Sequence, residues 1–147
     1  MFGLCLLLGL GAVYVIGRMD QVDETHATRA EAEAAGLFSR GWLPSCIPTS
    51  AFKISASNNL DLNTSKGSFF FAPTDSTTFL ALLRPLHPAS LQEKHLFLHL
   101  ERGYTAHAYE EESCSWTFYV NTISGHCDYE MKSLERHAAE NISNVER

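Results

Sequence analysis

Trp116-Thr117-Phe118-Tyr119-Val120-Asn121-Thr122-Ile123-Ser124-Gly125-His126-Cys127-Asp128-Tyr129-Glu130-Met131 decides the fold. Trp116, Phe118 and Val120 alternate with Thr117, Tyr119 and Asn121; after a turn ending at Gly125, Cys127, Tyr129 and Met131 alternate with His126, Asp128 and Glu130. Successive strand side chains point to opposite faces, so two such runs in tandem describe a β-hairpin with one apolar face. With Asn121 opposite His126 across a four-residue turn, Val120 faces Cys127, Phe118 faces Tyr129 and Trp116 faces Met131, which puts all three pairs on that face. A one-residue slip of either strand would set polar side chains against apolar ones. The same register places Cys114 opposite Ser133, roughly 20 Å along the strand from Cys127 at about 3.3 Å per residue. A disulfide between them is therefore excluded by distance, and Cys46 is the remaining partner for either within the domain.

Upstream of the hairpin the signals weaken. Residues 104–110 read as a strand, and residues 91–102 carry both a capping-box pattern, Ser90-Leu91-Gln92-Glu93, and the strand-like alternation of Leu96, Leu98 and Leu100; the segment is taken as helix. Thr74 or Asp75 can cap a helix in which Phe79, Leu82, Leu83 and Leu86 share one stripe, ending near Pro85. Residues 67–72 form the clearest early strand, with Phe69, Phe70 and Phe71 presenting aromatic surface to both sides. Residues 50–54 are expected to make one helical turn, and the Asn and Ser residues through Ser65 a polar loop. From 23 to 40, acids come first and Ala27, Ala30, Ala34 and Leu37 with Phe38 fall on one helical stripe, which predicts a helix with a small-residue face. Gly36 predicts close packing or a kink near its end.

That helix is expected to close at Gly41, where a positive φ is available, followed by Trp42 as a core plug and by Pro44 and Pro48, which hold the chain extended. Asn59, Asp61 and Asn63 resemble the first ligands of a calcium loop, but Thr64 stands where such a loop needs Gly and Phe70 where it needs the bidentate Glu. They read instead as turn residues whose side chains bond nearby backbone. At Gly41-Trp42-Leu43-Pro44, Pro48-Thr49-Ser50-Ala51 and Asp61-Leu62-Asn63, with an aromatic strand around Trp116, the chain resembles the YbbD-like head domain proteins of bacteria. The resemblance spans about residues 25–131 and implies a small membrane-tethered domain. It brings no catalytic residues, so Gly41, Trp42, Pro44, Pro48, Ser50, Asp61, Asn63 and Trp116 are expected to be structural.

Residues 2–17 are apolar or Gly with Tyr14 the one polar tip, and Arg18 is the sole charge before Asp20. This reads as a membrane anchor or signal segment over 1–19, followed by a single domain over 20–132 and a polar tail over 133–147. The expected fold class is α+β, a small antiparallel sheet with helices packed on one face, and the expected location is the inner membrane with the domain on the extracytoplasmic side. The net charge of −6 argues against a nucleic-acid partner. The four cysteines lack paired Cys-x-x-Cys spacing, and the sequence fixes no third ligand for His95 and His99 among His107 and His126, so no metal or cofactor is expected. His126 and Cys127 are adjacent on a strand and point apart, which argues against a thiol–imidazole couple. Glu110, Glu111 and Glu112 form an acidic run suited to a basic protein partner. The leading expectation is a domain without catalysis that binds a protein at the membrane surface. The alternatives are an immunity or inhibitor protein masking a basic effector, and a hydrolase or metal-binding protein of unrecognised type.

Overall fold

In the computed structural model, which describes residues 21–87 and 102–134, one antiparallel sheet of seven strands organises the chain. The strands are β1 (Gln21–Thr28), β2 (Phe52–Asn59), β3 (Thr64–Phe70), β4 (Arg84–Pro85), β5 (Thr105–Glu111), β6 (Cys114–Asn121) and β7 (His126–Ser133). Their spatial order is β1-β2-β3-β7-β6-β5-β4, two meanders joined where β3 pairs with β7. The β6–β7 register is the one that alternation predicts: Trp116 opposite Met131, Phe118 opposite Tyr129, Val120 opposite Cys127 and Cys114 opposite Ser133. Cys46 and Cys127, both buried, are free thiols.

One face of the sheet carries the core. Ile54, Ala56, Phe69, Trp116, Phe118, Val120, Cys127, Tyr129 and Met131 are buried there, with Phe69, Phe79 and Phe118 meeting edge-on at centroid separations of 5.6–6.4 Å. Such tilted contacts suit the quadrupoles of aromatic rings. What covers this face is mostly irregular chain: Leu37, Trp42, Leu43, Cys46, Ile47 and Ala51 from one loop, and Phe71, Phe79 and Leu83 from a second segment. The opposite face is largely polar, with Thr25, Ser55, Ser57, Lys66, Ser68, Asp128 and Glu130 around a shallow hollow of about 470 Å³.

The α+β expectation is thereby corrected. The described helices are α1 (Arg29–Ala34) and α2 (Ser76–Ala81), six residues each and burying one side chain apiece, Ala32 and Phe79, with a 3-10 turn at Pro73–Asp75 before α2. The expected helix over 23–40 is a strand, then a turn and a half of helix that stops six residues early. Gly36 takes φ +79°, its N–H bonds to Glu33 O and that of Leu37 to Ala32 O, a Schellman closure. The expected helical turn over 50–54 and most of the polar loop expected after it, through Ser65, are instead strand β2, whose inward positions are Ile54, Ala56 and Asn58, followed by a four-residue turn and the start of β3. No helix among the described residues is long and apolar enough to cross a membrane. The expected anchor over 1–19, almost all of the helix expected over 91–102 and residues 135–147 of the expected tail lie outside the described residues.

Candidate functional site

The loop between α1 and β2 gathers five of the residues singled out from sequence. Gly41 takes φ +73°, and turning there sends Trp42 and Leu43 into the core, where both bond by N–H to Leu37 O. Pro44 and Pro48 bracket the buried pair Cys46 and Ile47. Ser50 fastens the far end, since its hydroxyl donates to Asp75 Oδ2 and accepts from the Ala72 N–H at 3.1 Å. Asp61 and Asn63 sit elsewhere, on the four-residue β2–β3 turn, where Asn63 takes φ +46° and the Leu62 N–H donates to Asn59 Oδ1 at 2.8 Å. That bond is the side-chain-to-backbone turn expected at Asn59. Trp116 lies in the core beside Tyr109, and its indole N–H has no hydrogen-bond partner among the described residues.

The acidic run is divided by geometry into three settings. Glu111 points to the core side and holds the proline-bracketed loop: its Oε2 accepts from the Ser45 N–H at 2.9 Å and its Oε1 from the Ser45 hydroxyl. Glu110 points to the other face, exposed, 3.9 Å from an equally exposed Arg84. Glu112 occupies the two-residue β5–β6 turn at φ +53°. Sequence reasoning did not single out Ser45, whose partner lies 66 residues away; no local pattern signals such a contact.

Beside the same loop, Arg29, Cys46, Ile47, Phe79 and Leu82 line a cleft of about 300 Å³ against α2. The thiol there is not poised for attack: burial, and then the charge of Glu111, pushes Cys46 up to about 12, leaving almost no thiolate at neutral pH. Burial likewise raises Cys127 well above its ordinary value, and lifts Tyr129 to about 12. His107 is lowered by burial; its Nε2 lies 2.8 Å from Thr105 Oγ1 while its buried Nδ1 has no partner among the described residues. His126 and Cys127 do point apart, His126 Nδ1 lying 2.8 Å from the Tyr104 hydroxyl on the polar face while Cys127 is fully buried in the core. Among the described residues no three His, Cys, Asp or Glu side chains converge as a metal site, and His95 and His99 lie outside them.

No curated protein and no solved structure matches the chain. A family model does match over residues 20–70, a span that contains β1, the loop of Gly41 to Ser50, and β2, and stops at the last residue of β3. That model describes the YbbD head domain, so the chain is similar to that family over residues 20–70, about a third of its length.

Proposed function

We propose that the chain is a membrane-anchored domain without catalysis that binds a protein partner at the membrane surface, presenting the β5–β6 corner to a basic segment of that partner. The observation that carries this reading is the tie between Glu111 and Ser45, which spends one carboxylate on fixing the corner and leaves Glu110 and Glu112 exposed on either side of it. Exposed carboxylates on a corner whose backbone is held in place steer and orient a cationic partner more than they add raw affinity. The groups whose protonation is most perturbed are shifted by burial in the core, which is the pattern of packing rather than of a reaction centre. The apolar run over residues 2–17 supports the anchor.

The test is affinity capture of the full chain from solubilised membranes, alongside a variant carrying Glu110→Lys and Glu112→Lys. Glu111 is left in place because reversing it would release Ser45. The variant is expected to melt like the parent and to lose the partner. Recovery of the same proteins by both forms overturns this surface.

A further inference from the structure

We infer that the β2–β3 turn is a lipid-contacting tip, with Leu60 and Leu62 entering the interfacial zone of the bilayer beside the point where the chain leaves it; this rests on the anchor reading above. Three observations carry it. Leu60 and Leu62 are 53 % and 48 % exposed on a turn that Asn59 holds in shape, so their exposure belongs to a formed structure. Gln21, where the described chain begins, pairs with Asn59, the residue just before Leu60. Four residues on from Gly17 the chain can extend at most about 14 Å, so an anchor ending at Gly17 brings this turn to the membrane surface. Finally, exposed apolar side chains collect at this end of the sheet: of the seven large ones among the described residues, Val22, Leu60, Leu62 and Leu134 lie here.

Charge defines the kind of contact. The turn reads Leu60-Asp61-Leu62-Asn63, with an acid and no base of its own; of the lysines on the adjoining strands, Lys66 stands opposite Glu130, and Lys132, opposite Thr64, is among the described residues the single base beside an acid at this end. The tip therefore engages the apolar and glycerol levels of the interface rather than anionic headgroups, and its contact is independent of the fraction of anionic lipid. The far end of the sheet, marked by Ile123 at 91 % exposure, faces away from the bilayer.

The experiment places a tryptophan reporter at each end of the full chain, Leu62→Trp with Leu60→Trp as its duplicate, and Ile123→Trp as the distal control. Proteins are reconstituted in phosphatidylcholine vesicles whose acyl chains are brominated near the carbonyl, with and without phosphatidylglycerol. Trp42 and Trp116 are buried in the core and supply a constant background. The expected result is a blue shift and a loss of added emission at positions 60 and 62, equal in both lipid mixtures, with emission at 123 unchanged. Protein that floats with the vesicles while positions 60 and 62 stay unquenched overturns the tip and leaves the anchor standing. Protein that does not float overturns the anchor and the tip with it. A blue shift at 62 that follows protein concentration in the absence of lipid assigns the turn to a second copy of the chain and overturns the lipid assignment.

Discussion

Trp42 is the residue on which the loop closes. It is 7 % exposed, delivered inward by the left-handed turn at Gly41 into the same core cluster as Leu37, Leu43 and Ile47 of its own loop. Truncating a buried indole removes its transfer energy and leaves a cavity, so Trp42→Ala is expected to lower stability by about 3–5 kcal/mol. Urea denaturation followed by circular dichroism checks this, and an unchanged midpoint would put the indole at the surface. Gly41 and Trp42 were legible in sequence because their chemistry leaves few alternatives. Asn58 was not: it is 1 % exposed, and its Oδ1 accepts from the buried Ser65 hydroxyl at 2.7 Å, so a polar pair occupies positions that pattern assigns to solvent.

Among the elements, the β6–β7 hairpin was readable to the residue because apolar side chains occupy its inward positions from Trp116 to Val120 and from Cys127 to Met131. In β2 the inward series is Ile54, Ala56 and Asn58, and only the first looks like core. In and after β1, an edge strand, Asp23 and Glu24 followed by Ala27, Ala30 and Ala34 mimic a helical stripe; the local signal that marks the true start of helix is Thr28-Arg29-Ala30-Glu31. Thr28 Oγ1 accepts from the Glu31 N–H at 3.2 Å and Glu31 Oε2 accepts from the Ala27 N–H at 2.8 Å, a variant of the capping box. The meeting of β2 and β3 rests on another small residue. A Cβ on Gly67 would lie 1.9 Å from Ser55 O and 2.9 Å from the Tyr129 hydroxyl, the first of these being backbone that cannot swing aside. Gly67→Ala is expected to destabilise by about 1–3 kcal/mol, in the range of overpacked cores, and calorimetry decides the matter: a melting temperature equal to the parent's would mean that β2 and β3 do not approach this closely.

At the scale of the whole molecule, the core is sensitive to alkali. Cys46 and Tyr129 are raised by burial from ordinary values of 9.0 and 10.0 to about 12, and Cys127 is raised as well. Between pH 9 and 12 the unfolded chain has released protons that the folded chain still holds, so stability, intact below pH 9, falls as pH rises through this window. Each such group contributes a slope of up to about 1.4 kcal/mol per pH unit. Thermal melts at pH 8 and pH 10.5 should therefore separate clearly, and by less in a chain carrying Cys46→Ala; coincident curves would show that the thiols and Tyr129 are not desolvated. The seam between β3 and β7 has a different consequence. It joins Phe70 to His126 and Thr64 to Lys132, residues more than fifty positions apart, whereas the other pairings of three or more residues join strands closer in sequence. Closing so long a loop is slow, and during synthesis the first three strands emerge before β7 exists to pair with them. Until the ribosome delivers residue 133, β3 has β2 on one side and an open hydrogen-bonding edge on the other, and Phe69 lacks the strand of Cys127 and Tyr129 that covers it in the finished domain, so it is the nascent chain that exposes an edge open to wrong pairing.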